Sequence, residues 1–320
     1  MAHEVETMMY VGERPWHGLG KALENAPTIE EGIKEAGLDW EVKLNSMSTR
    51  IGGEYVKIPN KKAVIRSSDN SVLGIVGDNY KPVQNIEAFN FFQPFLDNDM
   101  ATLETAGSLL NGKRVFVLAK LKSDNMVIQK DDEVEKYILL SNSHDGSQAL
   151  RVGFVPIRVV CQNTLNFAEN HKASQLIRVR HQGDIIQTLD ELRETMDLVN
   201  KQFIATEEQY QYLATKQVNV NDLHKYVKEV FTRKQKQELE NIVTDYEEKE
   251  EIEKFRKRLM SRVEEVFEME PAKNAWTMYN AVNYYFNHDK GKTLESTYNS
   301  LWFGSSKRLD RKAFDLALKY

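Results

Sequence analysis

The first half of the chain alternates apolar and polar residues in short segments, a period typical of half-buried β-strands. Gly-Gly, Pro-Asn and Asp-Asn pairs, which favour turns, separate the first of these segments. The pattern therefore predicts a meander of short strands. The segments span residues 40–44, 55–58, 63–66 and 72–76.

The next segments predict a helix followed by hairpins. From Asn85, apolar residues recur three or four positions apart, which indicates a helix whose last turn is weakened by Pro94. Asn111-Gly112 lies between two apolar runs and favours a type I′ hairpin, because a turn of that type needs positive φ at both central residues. Two more strands are predicted at 136–142 and 149–160, joined by a polar tip.

The second of these two strands has Gly153 and Pro156 in its interior. Proline donates no hydrogen bond to a sheet, and glycine has no side chain to pack against neighbouring strands. We therefore predict that the strand is bent or bulged. A bulge re-aims neighbouring side chains, and Arg151 and Arg158 flank this one.

After Cys161 the pattern becomes helical. Asn163 or Thr164 is placed to cap a short helix, and helical spacing then continues from about residue 184 to the end of the chain. We predict an α+β fold with an antiparallel, hairpin-rich sheet in the N-terminal half and a helical C-terminal half. The predicted units are a mixed domain at 1–183 and a helical region at 184–320. An aromatic stripe predicted to be core comprises Trp276, Tyr279, Val282 and Phe286.

Composition supports an ordinary folded protein, with 41% hydrophobic and 28% charged residues. The chain has no apolar stretch near the roughly 20 residues that span a bilayer, and Glu4 and Glu6 stand where a signal peptide has basic residues. The single cysteine, Cys161, excludes an intrachain disulfide framework and a multi-cysteine zinc site. We therefore expect a cytoplasmic protein with no membrane association.

Charge is distributed unevenly along the chain. The net charge is -5, yet residues 141–183 hold five basic and two acidic residues, so a nucleic-acid surface would have to be local. Guanidinium groups suit phosphate oxygens because they present paired donors. The alternative is that arginines of the middle strand pair with carboxylates of the helical half. The basic residues that we predict to contact phosphate are Arg151, Arg158, Lys172, Arg178 and Arg180.

Single-strand binding also needs flat side chains between the charges, on which bases can stack. Tyr80 beside Lys81 and Phe154 between two arginines are the candidates, with Trp16 beside His17 a further one. Two alternatives remain open at this point. Phe154 would equally serve as core, and the Tyr80 hydroxyl would equally close its own turn.

Some of the same segments also contain residues that would suit an enzyme. His144, Asp145 and Cys161 would supply a base, an orienting acid and a nucleophile, but only within hydrogen-bond reach of one another. Asp145 also suits its turn, and a lone cysteine is more often a small buried residue. No metal-ligand spacing, Walker motif or dinucleotide fingerprint is present in the sequence, so we expect neither a metal nor a cofactor.

Four stretches of the chain are unusual: PWHGLG at 15–20, GDNYKPVQNIEAF at 77–89, SNSHDGSQALRVGFVPIRVVCQNTL at 141–165, and the terminal NAW and WFG segments. With these stretches the chain resembles phage and plasmid proteins catalogued as domain of unknown function 932, over nearly its whole length, which implies an origin in mobile elements and no particular activity. At the level of fold it is similar to phage single-strand annealing proteins, which implies self-association into rings or filaments.

From these features we expect single-stranded DNA binding, with strand annealing in mobile-element recombination as its use and homo-oligomers as its form. A non-catalytic protein that acts on a host defence factor is the second hypothesis, and it needs no basic groove. A hydrolase that uses Cys161 and His144 is the third.

Overall fold

The structure is a computed structural model. It describes most of the chain, including the sheets and the greater part of the helices. The described residues are 5–12, 19–158, 163–164, 177–181, 196–232, 246–290, 300–301 and 305–320.

Twelve strands occur among the described residues, and they form two sheets. The larger sheet has nine strands in the order β11-β10-β9-β7-β6-β1-β2, with β12 paired to β10 and β8 paired to β9. The smaller sheet has the order β3-β4-β5. All pairs are antiparallel except β1 with β2. The strands are β1 (Val5–Val11), β2 (Lys21–Leu23), β3 (Val42–Ile51), β4 (Glu54–Arg66), β5 (Val72–Gly77), β6 (Ala101–Leu109), β7 (Arg114–Leu121), β8 (Met126–Gln129), β9 (Asp132–Ser143), β10 (Leu150–Arg158), β11 (Asn163–Thr164) and β12 (Ile177–Val179).

The predicted meander corresponds to the smaller sheet, with one correction. Gly52 and Gly53 form the expected tight turn, and both have positive φ. The Pro59-Asn60 pair does not form a turn. It lies inside β4, where the register with β3 jumps from Lys57 to Lys62 against only two positions on β3. The pair therefore makes a large bulge in which Asn60 has φ 57°.

The hairpin at Asn111-Gly112 is confirmed, although its loop is longer than a two-residue turn. Leu109 pairs with Arg114, so four residues connect the strands. Three of them have positive φ: Leu110, Asn111 and Gly112. Asn111 and Gly112 adopt the left-handed conformation that these residue types favour. Leu110 adopts it as well, although leucine rarely does.

The predicted bulge in β10 is wrong. Arg151 to Arg158 pair with Ser141 to Val134 in one uninterrupted register. On the other edge of β10, the described pairing with β12 extends as far as Val152, and that with β11 begins at Ile157. Pro156 therefore lies between the part of β10 that pairs with β12 and the part that pairs with β11. None of the described hydrogen bonds on that edge needs a backbone N–H at this position.

Eight α-helices are described. The predicted helix from Asn85 is broken into two short helices, and Pro94 falls at the start of the second, where its missing N–H is tolerated. Asn163 and Thr164 do not cap a helix, because they form β11 against β10. The helices are α1 (Ile29–Glu35), α2 (Asn85–Asn90), α3 (Gln93–Asp97), α4 (Met196–Thr215), α5 (Val220–Phe231), α6 (Tyr246–Met269), α7 (Ala275–Tyr284), which continues as a π-helical turn (Tyr285–Asp289), and α8 (Ser305–Ala317).

The fold is therefore α+β, as predicted, with antiparallel sheets first and helices after them. The aromatic stripe on α7 is core, since Trp276, Tyr279 and Val282 are fully buried and Phe286 is 1% exposed. Helix α7 packs against α4, α6 and α8, and α4 also contacts β8 of the large sheet. The predicted domain boundary at 183 lies outside the described residues.

Candidate nucleic-acid interface

A cleft of about 780 Å³ is formed by segments that are far apart in sequence. One wall is the end of β5 and the turn after it. The second wall is the loop that joins β9 to β10, and the third is Arg180 with His181, which follow β12. The bulge in β4 adds Asn60. Two of the sequence motifs and the predicted arginine segment therefore meet at one place.

Two glycines allow the walls to approach each other. A Cβ atom added to Gly74 of β5 would lie 2.5 Å from the Cα atom of Asp145. Gly146 has φ +73°, and a Cβ there would lie 2.9 Å from the Cγ1 atom of Val76. Because backbone meets backbone at Gly74, a side chain there would push the β9–β10 loop away from β5.

Tyr80 joins all three walls of the cleft. Its hydroxyl donates to the carbonyl oxygen of Ser143 at 2.8 Å, and its ring stacks on His181 with 4.7 Å between centroids. The backbone N–H of Lys81 donates to the carbonyl oxygen of His181 at 2.8 Å. Burial raises the pKa of the Tyr80 hydroxyl, so it stays protonated as a donor. The hydroxyl fixes the turn to the neighbouring loop rather than closing the turn itself.

Among the predicted phosphate contacts, the structure describes the side chains of Arg180 and Arg151 near the cleft walls and does not describe those of Lys172 and Arg178. Arg180 is exposed and lines the cleft. Arg151 is partly buried, and the ladder places it directly opposite Arg178 across β10 and β12. Lys172 lies outside the described residues, as does the side chain of Arg178. The register thus brings Arg151 and the strand that leads to Arg180 together.

The prediction that Arg158 binds phosphate is wrong. This side chain is 2% exposed, and its guanidinium donates to both carboxylate oxygens of Asp132 at 2.8 and 2.7 Å. It also donates to both oxygens of Glu270 at 2.6 and 2.9 Å. Trp276 lies against it, at 5.7 Å from ring centroid to guanidinium carbon, and donates from its indole nitrogen to Asp132. Arg158 therefore links the sheet to the helices, which is the alternative pairing.

Phe154 also packs inside the protein. Its ring meets the ring of Phe203 on α4 edge to face, with 5.7 Å between centroids. The ring is partly buried against the hydrophobic core. This contact makes Phe154 part of the packing between sheet and helix, so it is corrected from base stacking to core.

His144 is fully buried, and its hydrogen bonding is determined by its neighbour Asn85. The Asn85 amide donates to the carbonyl oxygens of Leu38 and Trp40, so its side-chain oxygen accepts from His144 Nε2 at 2.9 Å. Burial lowers the pKa of His144 to about 3. A histidine held in this way is a neutral structural group and does not reach the cleft.

The other hydrolase residues do not join His144 in the described structure. Burial raises the pKa of Asp145, but hydrogen bonds from Ser143 and Ser147 outweigh it and bring the pKa below its usual value. Asp145 is thus a turn residue, which accepts from the backbone N–H of Ser147 at 2.9 Å. Cys161 lies outside the described residues, as do Trp16 and His17. Among the residues described, no group of three or more His, Cys, Asp or Glu side chains is arranged to hold a metal ion.

Comparison with protein families matches residues 72–310 to the family described as Domain of unknown function (DUF932). The match covers about three quarters of the chain. The chain belongs to this family. No curated protein and no solved structure matches it.

The part that matches DUF932 contains most of the cleft. It also contains all of the Arg158 junction, by which we mean Arg158 with Asp132, Glu270 and Trp276. The β5 turn, the β9–β10 loop, Arg180 and His181 all fall within it, whereas β3 and β4 precede it. None of the described helices of this DUF932 protein is both long enough and apolar enough to cross a membrane.

Sequence reasoning missed Asn60 and the role of His181. The Pro-Asn pair predicts a turn at Asn60 and does not reveal a bulge inside a continuous strand. His181 follows directly after Arg180, and this adjacency was the available signal.

Proposed function

We propose that this DUF932 protein binds single-stranded DNA in the cleft between the β5 turn, the β9–β10 loop and Arg180. The observation that carries the proposal is that Tyr80 and Arg180, 100 positions apart in sequence, line one open concavity. Lys81 follows Tyr80 directly and is held beside Arg180 by its backbone hydrogen bond to His181. Its volume of about 780 Å³ lies within the range of small-ligand pockets, about 300–1,000 Å³.

Charge at the rim supports an anionic partner. Arg180 and Lys81 are both exposed, and against them stands one carboxylate among the described cleft-lining residues, Asp78. Arginine presents paired donors to phosphate, and release of counterions from DNA favours binding at low salt. The partly exposed Tyr80 ring, which lines the cleft, supplies a flat surface beside these charges, which suits bases of any sequence.

The cleft is too short to hold a long strand alone, so several copies acting along one strand fit the function best. On this proposal the protein self-associates, holds unpaired strands with their bases splayed, and anneals complementary strands during recombination of a mobile element. No cofactor takes part in this scheme.

Fluorescence anisotropy with a labelled oligothymidine tests the proposal. We expect binding that weakens steeply between 50 and 200 mM salt, and at least tenfold weaker binding by the Lys81→Ala, Arg180→Ala double variant. The matched control is Lys34→Ala, Arg308→Ala, which removes two exposed charges from α1 and α8. Equal affinities for the two double variants would remove the cleft as the binding site.

A further inference from the structure

Among the described residues, the outer half of the β3–β4 hairpin is a two-stranded ribbon that pairs with no third strand. Beyond the bulge in β4, positions 48–51 pair with 54–57, whereas β5 pairs with β4 only between Lys61 and Ile65. Large apolar side chains on the ribbon are exposed: Tyr55 is 79% exposed, Ile51 62% and Val56 45%. Burial does not account for an exposed tyrosine at the end of a projecting ribbon.

The two faces of the ribbon differ in charge. Arg50 is directly opposite Tyr55, and Ser48 is directly opposite Lys57, so these four residues share one face. Tyr55 therefore neighbours two cationic residues, Arg50 across the ribbon and Lys57 along its own strand. The ribbon's one carboxylate, Glu54, is paired with Ile51 on the opposite face.

The ribbon begins at the rim of the cleft. The bulge that ends it places Asn60 in the cleft lining, and the next residue, Lys61, is exposed and pairs with Gly77. From Lys61 to Tyr55 the strand extends up to about 20 Å at 3.3 Å per residue. A strand of DNA that leaves the cleft past Asn60 thus meets Lys57 first, and then Tyr55 with Arg50 opposite it.

We infer that the Arg50–Tyr55–Lys57 face of the β3–β4 ribbon is a second contact for single-stranded DNA, continuous with the cleft. This inference rests on the proposed function of the cleft. Tyr55 stacks on a base, and the flanking cations bind the phosphates on either side of it. A second copy of the chain is the less suitable occupant, because two such faces would set like charges against each other.

Oligothymidines of two lengths separate the ribbon from the cleft. Tyr55→Ala is expected to weaken binding of a long oligothymidine by about 5- to 150-fold, the loss equivalent to one stacked base. On the proposed function an oligothymidine of four nucleotides is held by the cleft alone, so its binding is expected to stay unchanged. Val56→Ala, on the opposite face of the same ribbon, is the matched control and should bind both lengths like wild type.

Each other result has a defined meaning. If Tyr55→Ala binds the long oligothymidine like wild type while Lys81→Ala, Arg180→Ala does not, the ribbon inference is wrong and the cleft remains. If wild type binds neither length, both proposals are wrong. If Tyr55→Ala instead lowers the mass found by analytical ultracentrifugation and leaves DNA binding intact, the ribbon joins copies of the chain, and the inference is overturned.

Discussion

Arg158 and Glu270 form a buried two-point ion pair that connects β10 to the end of α6 across 112 positions of sequence. The same guanidinium binds Asp132 in the sheet, and Asp132 accepts from the indole of Trp276 at 2.8 Å. One arginine thus binds two carboxylates, one from the sheet and one from the helical half. Loss of Arg158, Asp132 or Glu270 would therefore weaken the contact between the sheet and the helical half.

Removal of Arg158 is expected to destabilise the protein strongly. In Arg158→Ala the carboxylates of Asp132 and Glu270 remain, partly or fully buried, without their cation, and breaking such a pair costs about 3–5 kcal/mol. Urea unfolding followed by circular dichroism measures this loss. The exposed Arg180→Ala is the comparison and should change the free energy of unfolding by less than about 0.5 kcal/mol. Equal stability of the two variants would contradict the junction.

The contact between β5 and the β9–β10 loop gives a second prediction. Gly74→Ala introduces a Cβ atom 2.5 Å from the Cα atom of Asp145, so the loop must move, at an expected cost of about 1–3 kcal/mol. Gly77→Ala lies on the same strand and meets nothing within 4 Å, so it serves as the control. Thermal unfolding should separate the two variants. A Gly74→Ala protein as stable as Gly77→Ala would show that the loop yields freely.

Local patterns predicted local structure well. The Asn111-Gly112 hairpin and the stripe from Trp276 to Phe286 follow from turn chemistry and from helical spacing, which depend on residues close in sequence. Arg158 shows the limit of prediction from local patterns. Its position between β-forming residues predicts an exposed basic strip. Its partner Glu270 is 112 positions away, however, and no local pattern indicates that these two residues are in contact.

Pro156 and the Pro59-Asn60 pair show the same limit in sheets. Proline is excluded where a ladder needs a donor, and the sequence does not reveal which edge of a strand is paired. Pro156 lies in a gap between β11 and β12, and Pro59 lies in a bulge within β4, so neither ends its strand. The position of the cleft was not predictable, because it depends on the bulge that carries Asn60 and on the meeting of segments that are far apart in sequence.

Stability is expected to fall in mild acid because of His144. Its pKa is about 3 in the folded protein and about 6.5 when unfolded, so the unfolded chain takes up the proton as pH falls below 6.5. This one group should lower the free energy of unfolding by about 1.4 kcal/mol per pH unit below that value. His181 and Asp145 are the charged or titratable groups that influence it, and Asn85 binds its Nε2.

Urea titrations at a series of pH values check the His144 prediction. The dependence of stability on pH between 6.5 and 4.5 should be shallower in His144→Gln than in wild type, since glutamine does not titrate. A variant with lower stability but an unchanged slope would assign the acid sensitivity to other groups.

Tyr80 offers a test that separates its hydroxyl from its ring. Tyr80→Phe loses the hydrogen bond to the Ser143 carbonyl, which is expected to cost about 0.5–1.5 kcal/mol of stability, but it keeps the ring that stacks on His181. On the proposed function, Tyr80→Phe therefore binds oligothymidine within about twofold of wild type, whereas Tyr80→Ala loses the stacking surface and binds about 5- to 150-fold more weakly. Anisotropy titrations at low salt measure both affinities. Equal, wild-type affinity in the two variants would show that the Tyr80 ring only supports the fold, and base contact would then have to be sought elsewhere in the cleft.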